Sequence, residues 1–234
     1  MRLTNDEIRL FRHNGFLILP TRFSDEFVST IKEAVLRDIR EEVEPVVRSQ
    51  GRVVRISDLW SRGGVFREAI ASDAILDPLE SLLGANIEYL LNRHNHATLR
   101  VRGDGSPYMH RDVLQWTRTI VTVIVYLEET NLENGCTRLV PGTHLLPGVE
   151  ENSLQRDPNV NASRLVDQAV AVPMPAGGLL AIDSMTYHTA GENRTDGTRM
   201  NLTLGYHSAD ELAGYENPRR ALLRGTRLYR GNDT

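Results

Sequence analysis

The sequence has little of several things that would point straight to a function. Cysteine occurs once in 234 residues, at Cys136. An internal disulfide is therefore excluded, and without a C-x-x-C pair so are the thiolate-rich zinc and iron–sulfur sites. Any metal must be held by nitrogen and oxygen. A basic excess is missing too: 27 Lys and Arg against 31 Asp and Glu leave a net charge of −4, with no electrostatic footprint for nucleic acid or an anionic membrane. No apolar run approaches the roughly 20 residues of a membrane span, and "MRLTNDEIRLFRHNG" carries charge from its second residue, unlike a secretory leader. The expectation is a cytoplasmic protein whose partner is a small molecule, with neither nucleic acid nor membrane. What the chain does have is 40% apolar and 25% charged residues, enough to bury a sizeable core as one domain.

The first third reads as helical. Thr4 or Asn5 caps a short helix through Phe11 that stops at Gly15, and an extended "FLILP" follows. From Ser24, apolar residues recur at Phe27, Val28, Ile31, Val35 and Ile39, the three- and four-residue steps of one buried helix face. Ser72 caps a third helix, with Ile75, Leu76, Leu79, Leu82 and Leu83 facing inward before Gly84. From Asn86 onward the pattern changes to short β-rich runs, among them "IEYLL", "RTIVTVIVYL", "GLLAID" and "RMNLTLGYH", separated by turns such as "RGDGSP" and "ENG". Helices followed by many short strands predict a mainly β fold, a sandwich or jelly roll with N-terminal helices packed on one side. The expected layout is a single domain: helical buttress 1–85, β core 86–210 and C-terminal extension 211–234. The loop from Leu145 to Gln168 is long enough to predict a lid.

The chemistry concentrates in "YMHRDVLQW", Tyr108 to Trp116. On a strand, residues i and i+2 point the same way, so His110 and Asp112 project together. They supply two of the three protein ligands of a 2-His-1-carboxylate iron(II) triad. The third has to come from elsewhere, and His188 in "LLAIDSMTYHTAG" is the candidate, at the end of a buried strand. Arg199, eleven residues later, opens the last long strand. Three protein ligands leave three octahedral positions, of which a keto acid fills two and oxygen one. The far carboxylate of such an acid calls for a planar bidentate donor, which a guanidinium is. Taken singly, each of these residues also reads as ordinary surface. The same His/Asp/His set suits a cupin-like metal-binding module or a zinc hydrolase, which has no evident need for Arg199. The other histidines rank lower: His94 and His96 lack a carboxylate at matching spacing, His13 reads as surface, His144 shapes a loop, and His207 ends a strand toward the site mouth.

H-R-D at His110 to Asp112, "NGCTRLVPGTH" at Asn134 to His144, His188, Arg199 and "F-x-x-x-G-F-L-I-L" at Phe11 to Leu19 occur in order over nearly the whole chain. Together they resemble the phytanoyl-CoA dioxygenase family of iron(II)- and 2-oxoglutarate-dependent oxygenases. The resemblance implies a double-stranded β-helix, a distorted jelly roll buttressed by helices. It implies that His110, Asp112 and His188 bind iron and that Arg199 anchors 2-oxoglutarate. Arg100, in "RVRG" where the family usually has K-x-P-G, and Thr137 are further contacts to that cosubstrate. Trp116 lies where a subgroup including the ectoine hydroxylases carries an aromatic, so it lines the substrate pocket or fills the core. Halogenating relatives replace the carboxylate by a small residue. Asp112 therefore implies hydroxylation of an unactivated C–H bond with O2, 2-oxoglutarate going to succinate, with desaturation, epimerisation or ring formation as alternatives. The implied substrate is a small molecule such as a natural product or metabolite, with an acyl-CoA also compatible.

Overall fold

The computed structural model describes residues 1–106, 108–114, 119–147, 149–157, 162–210 and 217–226. Trp116 and most of 211–234 lie outside them. Elements follow one another as α1 (Asn5–Asn14), β1 (Phe16–Arg22), α2 (Asp25–Arg40), β2 (Val46–Ser49), β3 (Arg52–Ser57), α3 (Leu59–Arg62), α4 (Gly64–Ile70) and α5 (Asp73–Leu83). Then come β4 (Ile87–Leu90), β5 (Asn95–Arg100), β6 (Val121–Tyr126), β7 (Thr137–Leu139), α6 (Ala162–Asp167), β8 (Val170–Val172), β9 (Gly178–Asp183), β10 (His188–Ala190), β11 (Arg199–Ser208) and β12 (Arg220–Arg224).

Local chemistry sets the helix ends. Thr4 and Glu7 form a reciprocal capping box at the start of α1, and Gly15 ends it with φ at 80°, a left-handed conformation that glycine adopts at no steric cost. Ser24 accepts a hydrogen bond from the Phe27 amide at the start of α2, and Ser72 accepts one from the Ala74 amide at α5. Each cap satisfies an amide that helix geometry leaves without a partner.

Nine strands form one antiparallel sheet in the order β1-β9-β6-β11-β5-β3-β2, with β4 also on β11 and β12 on β4. Three more form a smaller sheet, β10-β7-β8. The large sheet packs its outer face against α2, α4 and α5, where Ile31, Val35, Ile70, Ile75 and Leu79 meet Val121, Val123, Leu179, Leu202 and Leu204. Each of these is fully buried, and each contributes about 1.5–3 kcal/mol of transfer free energy. Its inner face meets the small sheet through Ile124, Tyr126, Leu180 and Ile182 against Leu139, Val172 and Met174. The architecture is a helix-buttressed jelly roll, mainly β, as the strand pattern predicts.

Two expectations change in detail. The segment 1–85 is not only a helical buttress, because it contributes β1, β2 and β3 to the large sheet. The long loop is bound down where it is described: Val149 and Leu154 are buried with Met109, Val140 and Tyr187, and the Leu154 amide donates to the Met109 carbonyl at 2.9 Å. This stretch buttresses the H-R-D segment rather than hanging free as a lid. No helix among the described residues is long and apolar enough to cross a membrane.

Candidate active site

His110 and Asp112 do not lie on a regular strand. They sit in an irregular segment ahead of β6, where an isolated antiparallel bridge joins His110 to His188. The two exchange both backbone hydrogen bonds at 2.8 Å, and the Asp112 amide donates to the Ser184 carbonyl at 2.8 Å. These bridges aim the side chains as a strand would have done. His188 opens β10 instead of ending the strand before it. On the far side, Gly135 packs against Gly191, so that a Cβ at Gly135 would lie 2.2 Å from the Gly191 carbonyl oxygen. The glycine of "ENG" is needed for that close approach between the β7 turn and the chain leaving β10.

One ligand atom from each of His110, Asp112 and His188 lies within 4.8 Å of the others. The two Nε2 atoms are each 3.8 Å from Asp112 Oδ1, and the rings stand 4.5 Å apart. His188 Nδ1 is 2.9 Å from the Thr186 carbonyl, which only accepts. Nδ1 must carry the proton, leaving the Nε2 lone pair for a metal. Burial, then His188, push His110 down to about 4, keeping it neutral near pH 7. Burial by itself would raise the Asp112 carboxyl, but the imidazoles of His188, His94 and His110 outweigh it and hold the group well below the usual carboxylate range. The trio thus offers two imidazole nitrogens and one anionic oxygen, the donor set of ferrous iron with open positions. The His110 side chain is 48% exposed against 6% for Asp112, so the open side faces His110.

Arg199 enters the same chamber from the start of β11, only 4% exposed. Its buried Nε has no hydrogen-bond partner among the described residues. Burial, then the neighbouring Arg100, lower it to about 10, so it remains charged at neutral pH. A buried, unpaired guanidinium is costly unless an anion completes it. A keto acid chelated to the metal carries a second carboxylate that would do so, and the residues present fit both iron and 2-oxoglutarate. Arg100 stands directly across the ladder from Arg199. Thr137 Oγ1 lies 2.7 Å from the Tyr126 hydroxyl in the same buried wall.

Residues 11–201 match the phytanoyl-CoA dioxygenase (PhyH) family. The chain belongs to the phytanoyl-CoA dioxygenase family. Mouse peroxisomal phytanoyl-CoA dioxygenase is 26% identical, with 89% of this chain and 69% of that protein covered. Among solved structures, the epimerase SnoN in complex with Fe3+, alpha ketoglutarate and nogalamycin RO superposes with a TM-score of 0.75 at 21% identity, covering 94% of this chain and 98% of SnoN. The carbocyclase SnoK from nogalamycin biosynthesis gives a TM-score of 0.74 at 20% identity, covering 94% and 96%. This member of the family is an iron(II)- and 2-oxoglutarate-dependent dioxygenase, and those are its cofactors.

The structure brings together five residues singled out in the sequence, His110, Asp112, His188, Arg199 and Thr137, around an inner cavity of about 160 Å³. Arg100 borders that cavity and also a wider one of about 930 Å³ that opens beside His110. Trp116 lies outside the described residues. His207 does not face the mouth: it is fully buried, with Arg220 Nη1 at 3.5 Å. His144 ties its loop to α1, its Nε2 3.0 Å from the Arg12 carbonyl. Sequence reasoning passed over His94, whose Nε2 lies 3.2 Å from Asp112 Oδ1 and whose Nδ1 lies 2.9 Å from Thr122 Oγ1. Thr122 in turn donates to Asp112 Oδ2 at 3.2 Å, so Asp112 is braced from two strand regions. No spacing rule finds such a brace, because its partners meet only once the sheet has formed.

Proposed function

We propose that the enzyme hydroxylates an unactivated C–H bond of a small molecule, with natural-product biosynthesis as the setting. One observation carries this reading: the His110, Asp112 and His188 ligand atoms converge in the same chamber as the buried Arg199, whose Nε has no partner among the described residues. His110, Asp112 and His188 would hold iron, and Arg199 the far carboxylate of 2-oxoglutarate, with Thr137 and Arg100 completing the wall. Bound iron and 2-oxoglutarate supply the oxidation: the keto acid and O2 go to succinate and carbon dioxide, with one oxygen atom delivered to the substrate. The chain's own residues do the rest. Asp112, braced by His94 and Thr122, stays ionised and fixed. His188 is held in one tautomer by Thr186. The chamber walls decide which hydrogen is presented.

Epimerisation or ring formation by the same centre is the second reading, favoured by the likeness to SnoN and SnoK. A cupin-like zinc hydrolase is disfavoured because it leaves Arg199 without a task. With iron(II) and ascorbate under air, the protein should release succinate from 2-oxoglutarate slowly even without substrate. Asp112→Ala should fall below about 1% of that rate, since losing an outer-sphere partner alone costs about 10–100-fold. Zinc-dependent hydrolysis with no succinate release would overturn the proposal.

A further inference from the structure

The wide cavity beside His110 has an unusual charge distribution. Its charged lining is Arg55, Asp58, Arg93, Arg100 and Asp104. The two acids are already engaged: Asp104 pairs with Arg52 at 2.5 Å and accepts from the Val101 amide at 2.9 Å, while Asp58 accepts from Asn95 Nδ2 at 3.2 Å. Arg93 donates to the Asp112 carbonyl at 2.8 Å. The side chains of Arg55 and Arg100 make no hydrogen bond or ion pair with any described residue, and Arg55 Nε is buried without an acceptor among them. Arg55 pairs in register with Thr98, one inward position from Arg100 on the neighbouring strand. His96, two positions before Thr98 on the same strand, is held to about 3 by burial and then by Arg55, so it adds no charge at neutral pH.

This inference rests on the reading of the inner chamber as the iron and 2-oxoglutarate site. There a ferrous ion, Asp112, dianionic 2-oxoglutarate and Arg199 cancel in charge. Arg55 and Arg100 are left over. The described lining of the wide cavity contains no Phe, Tyr or Trp on which a flat apolar substrate would stack. The three arginines divide by position: Arg199 faces only the inner chamber, Arg55 only the wide cavity, and Arg100 both.

We propose that the substrate carries a carboxylate or phosphate, which Arg55 grips in the wide cavity with Arg100 alongside, so that the anion fixes which C–H bond lies beside His110. Each guanidinium fork can take a pair of oxygens from either group. The same chemistry has a second conceivable source, a carboxylate of 2-oxoglutarate itself, and the position of Arg55 allows the two to be separated.

The test uses full-length protein loaded anaerobically with manganese(II) and saturated with 2-oxoglutarate. Hexanoate and its uncharged match hexanamide serve as probes, with binding read by ligand-observed NMR. Hexanoate should bind at least about tenfold more tightly than hexanamide, the size of one charge-assisted contact. Arg55→Gln should erase that preference, Arg55→Lys should keep part of it, and 2-oxoglutarate affinity should stay within about twofold in both. Arg100→Gln should weaken both ligands. Equal binding of the two probes to the unaltered protein would overturn the proposal. So would an Arg55→Gln variant, folded by its melting temperature, that loses 2-oxoglutarate as badly as an Arg199 variant does, because Arg55 would then serve the cosubstrate. If 2-oxoglutarate fails to bind the metal-loaded protein at all, the reading of the inner chamber falls first and this inference with it.

Discussion

The two faces of the large sheet are made by the same strands and do opposite work. Along β6, Val121, Val123 and Val125 face the helices, whereas Thr122 and Tyr126 face the inner chamber. Along β11, Met200, Leu202 and Leu204 join the apolar core, and Arg199, Asn201 and Thr203 line the site. Both faces of β6 are buried, so burial does not tell them apart. Polarity does. The outer face holds the fold by removing apolar surface from water. The inner face, beside the apolar Ile124, Leu180 and Ile182 that meet the small sheet, carries buried polar groups that are stabilised only by each other or by a bound ion and anion. The alternation of the strand allows one ten-residue segment to serve both, and a one-residue slip in register would exchange them.

That division can be broken from either side. The largest effect is expected at Arg199→Ala, which should weaken 2-oxoglutarate by about 2–5 kcal/mol in an anaerobic titration while metal affinity and melting temperature hold. A lowered melting temperature with unchanged 2-oxoglutarate affinity in the folded variant would mean that the inner face is structural. Leu202→Ala probes the outer face and should cost about 3 kcal/mol in urea unfolding, with metal affinity unchanged in the folded protein. Loss of metal there would show that the faces are coupled. His94→Gln sharpens the comparison within the site. Loosening the brace on Asp112 should weaken metal binding about tenfold in a competition titration, and no change would leave the bracing to Thr122 alone.

How much of this is legible in the sequence depends on how local the cause is. The cap at Ser72, the start of a helix near Ser24, the choice of Thr4 or Asn5 ahead of α1 (Thr4 in the structure) and the helical spacing of Ile31 and Val35 act within a few residues, and they read correctly. The strand runs from Asn86 onward did too, because alternation and turn residues are local signals. His110, Asp112, His188 and Arg199 stand out in the sequence by type and order, and the structure brings them together, although the first two lie on single bridges, not a strand, and His188 begins a strand instead of ending one. What stayed hidden depends on contacts between distant segments. The joining of β1, β2 and β3 to the large sheet, the packing of Val149 and Leu154 beneath the H-R-D segment, and the contact of His94 with Asp112 all arise only when the sheet closes. Arg55 is the sharpest case. In sequence it is one arginine in a polar stretch, and only the pairing of β3 with β5 places it in the cavity, its side chain without a hydrogen-bond partner among the described residues.

The most direct test is a crystal structure grown without oxygen in the presence of manganese(II) and 2-oxoglutarate. One metal should be bonded to His110 Nε2, Asp112 Oδ1 and His188 Nε2, with the keto acid chelated to it and its far carboxylate on Arg199. A metal that takes His94 in place of either histidine, or a four-coordinate site that leaves 2-oxoglutarate unbound, would contradict the account.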